Sequence, residues 1–221
     1  MTCSLCFGII RPMKTKHEIL LLVDCQYDFI HGSLEVPGAY HKMGYLCDWL
    51  GRGLAFRKLN YDYIWFTLDW HPYNHCSFKE NGGMWSRHCV QHTEGAAIFS
   101  RLYETVMHSK IPFDFILKGT DKDTEEYSAF HKENSTLKFL MTPDFMDAVN
   151  PEDVKIDVAG IAYDYCVKNC VVDIAKAQPK VEIRVLRKFC PFISDGSEAE
   201  ATGEMSAYPN IKIVDENEPL L

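Results

Sequence analysis

Asp69-Trp70-His71-Pro72 has the residue types and spacing to hold a metal ion, and it closes the apolar run that begins at Tyr63. In an extended backbone, positions i and i+2 project to one face, so the Asp69 carboxylate and the His71 imidazole can reach the same ion. Pro72 lacks a backbone donor and disfavours helix in the residue before it, which keeps His71 extended beside Asp69. A third ligand is offered by His88 in Trp85-Ser86-Arg87-His88, with His75 and Cys76 as nearer rivals. Asp69, His71 and His88 would leave coordination positions open for water or substrate. One carboxylate with two imidazoles suits a single divalent ion, zinc first, with manganese or iron as alternatives. His75 reads as a supporting residue behind the ligands, and His92 as an exposed loop histidine.

A second constellation can do nucleophilic chemistry. Cys166 follows an apolar run and begins a helical pattern, where unsatisfied backbone N–H groups favour a thiolate and can also receive an oxyanion. Asp24, at the end of the first apolar run, could accept the thiol proton, with Lys118 stabilising the charged pair. A carboxylate is a weak base towards a thiol. Transfer therefore requires either a raised Asp24 pKa or a thiol pKa lowered by Lys118 and the helix end, and the titrations are coupled.

These residues need a scaffold that brings them to one rim. Six short β-rich runs recur: Ile19 to Val23, Tyr63 to Leu68, Phe113 to Leu117, Ile156 to Ala162, Val181 to Leu186 and Ile211 to Val214. They are nearly continuous in apolar residues, as expected of strands buried on both faces. Met43, Leu46, Cys47, Leu50 and Leu54 recur at helical spacing between the first two runs, and Val167, Cys170, Val171 and Ile174 do so after the fourth. The pattern predicts a three-layer α/β sandwich, a central mainly parallel sheet of about six strands flanked by helices. Ligands of such sheets bind at the carboxyl ends of the strands, where Asp24, Asp69, Lys118 and Cys166 all fall. The long stretch from Asp69 to Gly95 exceeds a plain connection and points to function.

Composition narrows the class. With 221 residues, 47% hydrophobic and 24% charged, the chain has the makings of one folded domain, read here as an N-terminal tail over 1–16 and a single domain over 17–221. A net charge of −8 with no basic cluster argues against nucleic acid. No apolar run approaches the roughly 18 residues of a membrane span, and the segment up to Pro12 does not read as a signal peptide, so no membrane partner and a cytoplasmic setting are expected. Nine scattered cysteines fit reduced thiols better than a disulfide framework. Cys3 and Cys6 have redox or zinc spacing but lack a second pair and are read as part of the tail. A homo-oligomer stays open.

Taken together, the motifs resemble those of the isochorismatase-like cysteine hydrolases, and within them the nicotinamidases. Leu22-Val23-Asp24-Cys25-Gln26-Tyr27-Asp28-Phe29 resembles the opening motif that carries the catalytic base. Thr67 to Phe78 is similar to the metal-binding segment, and Trp85 to Gln91 to the segment with a second metal histidine and an aromatic wall. Ile116 to Gly119, with Tyr127 to Phe130 downstream, looks like the lysine region, and Gly160 to Val167 the nucleophile segment. The likeness spans roughly Ile19 to Val214. Departures are Tyr27 for a frequent Asn, Ser86 for Pro, His92 for Gly and Cys170 for Thr.

The resemblance implies a Cys166-Asp24-Lys118 triad and a cis peptide before Ala162, with the Ala162 and Cys166 amides facing the oxyanion. It implies a substrate site at Phe29, Trp85 and Tyr163, and hydrolysis of nicotinamide to nicotinate and ammonia, serving NAD salvage, through a thioester. Alternatives are another small-amide or isochorismatase-type hydrolase of the same fold, or a noncatalytic zinc-binding α/β module. Isochorismatases generally lack the Asp-x-His and distant His set, and no Gly-x-Gly-x-x-Gly or Walker-type loop follows the first strand.

Overall fold

Strand β1 (His17–Val23) sends Leu20 and Leu22 to one face of the sheet and Ile19, Leu21 and Val23 to the other, and all five are buried. A strand that buries both faces must lie inside a sheet covered on both sides. The computed structural model describes residues 16–130 and 150–215. There, β1 is joined by β2 (Tyr63–Asp69), β3 (Phe113–Lys118), β4 (Val154–Gly160), β5 (Glu182–Leu186) and β6 (Ile211–Val214) in the order β3-β2-β1-β4-β5-β6. Every pairing among them is parallel.

Helices fill the two outer layers. On one face α1 (Tyr27–His31), α2 (Ala39–Ala55) and α3 (Ser100–Ser109) cover Leu20 and Leu22 with Ile30, Met43, Leu46, Leu50, Leu102 and Val106. On the other, a π-helical turn (Tyr163–Val167) leads into α4 (Lys168–Ala177), and with α5 (Asp195–Ser206) it covers Leu21 and Val23 through Val171, Ile174, Ala201 and Met205. Each fully buried Leu, Ile or Val is worth about 1.5–3 kcal/mol over exposure, so both layers are held by their apolar faces.

Two expectations change. The run Phe113 to Leu117 is apolar but not buried on both faces, because β3 is an edge strand, and Phe115 and Leu117 are 45% and 46% exposed. The run Ile156 to Ala162 leaves the sheet at Gly160 (φ 136°), where a Cβ would stand 2.1 Å from the Val23 carbonyl oxygen. The next peptide, Ile161–Ala162, is cis. The tail proposed for 1–16, Lys16 apart, and with it the Cys3/Cys6 pair, lies outside the described residues. Among those described, no helix is long and apolar enough to cross a membrane.

The chain runs outward from β1 to β2 and β3, then crosses back to place β4 on the other side of β1. This reversal opens a crevice beyond the carboxyl ends of β1 and β4, the position at which ligands bind in open α/β sheets. Register aligns Val23 with Thr67 and Gly160, and Asp69 with Lys118. Residues just past these pairs therefore meet on one rim.

Candidate active site

Asp69 is the last residue of β2, and its main chain is fixed by Gln26. The Gln26 Oε1 accepts from the Asp69 N–H at 2.9 Å, and Gln26 Nε2 donates to the Asp69 carbonyl at 2.7 Å and to the Ala96 carbonyl at 2.9 Å. Beyond Asp69 the chain stays extended, and the loop returns beside it: the His71 N–H donates to the Cys89 carbonyl at 3.0 Å, and the Gln91 N–H to the His71 carbonyl at 2.9 Å. That short bridge carries His88, distant in sequence, back to Asp69. Cys89 sits at φ 45° with its N–H on Asp28 Oδ2 at 2.7 Å. His92 takes φ 64°, so the residue standing where glycine is common adopts a conformation glycine favours. It is exposed, as expected.

The candidate metal donors converge. His71 Nε2 lies 3.5 Å from Asp69 Oδ1 and His88 Nε2 3.7 Å from Asp69 Oδ2, and one ligand atom from each residue falls within 4.8 Å of the others. His71 Nδ1 is 3.0 Å from the Gly119 carbonyl and His88 Nδ1 2.7 Å from the Ser86 carbonyl. A carbonyl can only accept, so each Nδ1 carries the proton and each Nε2 lone pair is left for an ion. Among the described residues, buried His71 Nε2 has no hydrogen-bond partner. Burial works against a proton on His71, yet the Asp69 charge prevails and raises its pKa, marking the gap between them as a place for positive charge. This donor set fits a divalent ion.

His75 does not join it. Its Nδ1 meets Ser77 Oγ at 2.8 Å and its Nε2 the Thr124 carbonyl at 3.0 Å, while its ring packs 4.1 Å from the His71 ring. Both nitrogens are engaged, and the ring backs His71. Gly119 explains its own residue type: at φ 62°, a Cβ there would stand 2.3 Å from His71 Cε1.

Lys118, the last residue of β3, links this cluster to the nucleophile. Its buried ammonium contacts Asp69 Oδ1, lies 2.9 Å from Asp24 Oδ2, and donates to Cys166 Sγ at 3.5 Å and to the Glu126 carbonyl at 3.3 Å. Asp24 Oδ1 accepts from Thr67 Oγ1 at 2.7 Å, whereas Oδ2 pairs with the ammonium without a well-aligned hydrogen bond. Ligand atoms of Asp24, Asp69 and Cys166 also fall within 4.8 Å of one another.

The two carboxylates differ in electrostatic state. Burial would raise Asp69, but Lys118 and His71 outweigh it and hold the group well below the usual carboxylate range. At Asp24 burial prevails over Lys118, Asp69 adds to the rise, and the pKa goes up. Burial also pushes the Cys166 thiol well up, against the pull of Lys118. Of the two alternatives, a thiol pKa lowered by Lys118 and the helix end is not what the resting geometry favours. Cys166 lies within the π-helical turn, ahead of α4, and is desolvated. Of the two routes open from sequence, the raised Asp24 pKa is the one present. Asp24 is placed to hold a proton, and Lys118 remains an ammonium because both carboxylates outweigh its desolvation.

Cys166, Ala162 and the metal donors Asp69 and His88 line a cleft of about 110 Å³. That is well below the roughly 300–1,000 Å³ of drug-sized pockets and suits a single small ring. Phe29 and Trp85 line it as expected. Tyr163 does not: its hydroxyl pairs with Thr202 at 2.9 Å and its ring lies under the Arg187 guanidinium at 4.5 Å, inside the core. The wall is completed by Tyr165 and Tyr127. Trp85 Nε1 donates to the Tyr127 hydroxyl at 3.0 Å, and the Trp85 and Tyr165 rings meet edge to face at 5.1 Å. Nothing in the sequence spacing distinguishes Tyr165 from Tyr163, because the π-helical turn follows neither helical nor strand periodicity. A larger groove of about 740 Å³ between α2 and α3, lined by Arg101 and His108 of α3 and by Tyr61 ahead of β2, gathers no comparable chemistry.

No family model matches the chain. The nicotinamidase of Escherichia coli (strain K12) is 32% identical over 187 residues, covering 74% of this chain and 79% of that protein. The nicotinamidase of Saccharomyces cerevisiae is 29% identical over 92% of this chain and 100% of its own. Among solved structures, the pyrazinamidase of Pyrococcus horikoshii in complex with zinc superposes with a TM-score of 0.69 at 32% identity, covering 90% of this chain and 99% of that one. The yeast nicotinamidase bound to the inhibitor nicotinaldehyde gives a TM-score of 0.73 at 27% identity, with 90% and 99% covered. With that identity over most of both chains, on a shared fold, this chain belongs to the nicotinamidase/pyrazinamidase family of isochorismatase-like hydrolases.

Proposed function

We propose that the protein hydrolyses nicotinamide to nicotinate and ammonia, using Cys166 as nucleophile, Asp24 as proton carrier and Lys118 as the group that stabilises both. The observation that carries this reading is Lys118 Nζ, 2.9 Å from Asp24 Oδ2 and 3.5 Å from Cys166 Sγ, beside a ring-sized cleft walled by Phe29 and Trp85. Asp69, His71 and His88 would hold one divalent ion, zinc best by donor set and by the zinc in the Pyrococcus relative. Bound there, such an ion would supply Lewis-acid affinity for a ring nitrogen, while Phe29 and Trp85 would hold the ring beside Cys166.

The protein's own residues carry the bond changes. Asp24 takes the Cys166 proton as the sulfur adds to the amide carbon, and Lys118 offsets the charge on both. Asp24 then delivers that proton to the amide nitrogen, the C–N bond breaks, and ammonia leaves a nicotinoyl thioester on Cys166. Water loses a proton to Asp24 and adds to the thioester. The C–S bond breaks, the sulfur recovers its proton from Asp24, and nicotinic acid departs as its anion, its carboxyl proton passing to solvent. The Ala162 and Cys166 amides are assigned to the oxyanion at each addition. Zinc-loaded protein given nicotinamide should release ammonia and nicotinate in equal amounts. Absence of ammonia would overturn the reading.

A further inference from the structure

We infer that Glu35 and Glu125 form an acidic lip that discriminates against the anionic product, so that the cleft binds the neutral pyridine amide and expels the carboxylate made from it. The inference rests on the proposed reaction and adds specificity-determining residues to it. Glu35 reaches the cleft from the segment between α1 and α2, and Glu125 from the loop after β3. Every formally charged side chain lining the cleft is acidic: Glu35, Glu125 and Asp69. The cation nearest the chemistry, Lys118, sits beneath the lining and already faces the carboxylates of Asp24 and Asp69. Among the described residues, no lysine or arginine lines this cleft.

Substrate and product share the ring and the ring nitrogen and differ by one negative charge where the amide stood. Contacts to the ring and to its nitrogen act on both, while a bound dication and the Lys118 ammonium draw the carboxylate inward, a pull that the lip opposes. The acidic lip acts on the difference. Like charges across the mouth of the cleft repel, modestly because Glu35 is exposed and Glu125 half-buried, and the repulsion is screened by salt. The lip therefore weakens rebinding of nicotinate without a matching penalty on the amide, favouring release after the thioester is cleared.

The test is calorimetric titration of zinc-loaded wild type and E35Q/E125Q with two probes of the same ring, nicotinate and the neutral 3-methylpyridine, at low and high sodium chloride. The double variant should bind nicotinate about three- to tenfold more tightly, with 3-methylpyridine unchanged within about twofold. Salt should tighten nicotinate on the wild type and much less on the variant. Glu125 Oε1 accepts from the Glu126 N–H at 3.1 Å, so E35Q alone, which leaves that loop intact, must move nicotinate in the same direction. Equal shifts of both probes, or no shift of nicotinate, would overturn the inference. Wild-type protein that fails to hydrolyse nicotinamide would instead overturn the reaction assignment, a result the same preparation reports separately.

Discussion

Lys118 is buried against two carboxylates and a thiol, and its single charge does different work towards each. It keeps Asp69 ionised, and so fit to hold a cation. It restrains the rise of Asp24 without cancelling it, and it opposes the desolvation that keeps Cys166 a thiol. Replacing it with Met should lower kcat/KM for nicotinamide by about 10²–10⁴-fold. Alkylation of Cys166, followed by peptide mapping, should shift to higher pH, because the group that lowers the thiol pKa is gone. An unchanged alkylation profile would remove Lys118 from the nucleophile's electrostatics. The residue types and spacings of Asp24, Asp69, His71, His88, Lys118 and Cys166 were legible because each sits at the end of a recognisable apolar run or in one conspicuous loop. The direction of the Cys166 shift was not. It depends on desolvation, which arises from the whole cleft and leaves no local trace in the chain.

At the scale of elements, the site is held as much by main chain as by side chains. The Gly119 carbonyl sets the tautomer of His71, and the absence of a Cβ at that residue lets β3 approach the imidazole. Gly119→Ala should leave the fold cooperative but push the His71 ring aside. Zinc affinity, measured against a competing chelator, should fall by about 10–100-fold, in line with other losses of support behind a metal ligand. Wild-type zinc affinity in this variant would show that the contact does not matter. Sequence periodicity revealed the six strands, α2 and α4, whose apolar faces are long and regular. It could not reveal that β3 lies at an edge, since strand order is set by contacts remote in sequence, nor that the π-helical turn points Tyr165 to the cleft and Tyr163 to the core. The clamp of Gln26 on the Asp69 main chain was hidden for a similar reason: one glutamine after a strand looks like any other.

For the whole molecule, the order β3-β2-β1-β4-β5-β6 explains why groups from four strands can act together. Asp24 leaves β1 and the Cys166 turn follows β4, on either side of the crevice opened by the reversal, while β2 and β3 deliver Asp69 and Lys118 in register. Both apolar layers under that rim are closed by helices, giving the site a rigid base. The proposed covalent step takes place at the point where these elements meet. Its most direct test is acid quench of zinc-loaded protein during nicotinamide turnover, with peptide mass mapping, beside ammonia release by Cys166→Ala. A nicotinoyl group on the Cys166 peptide of the wild type, and ammonia release from the variant down by about 10³-fold or more, are the predicted results. Near-normal turnover by Cys166→Ala, or the acyl group on a different residue, would contradict it.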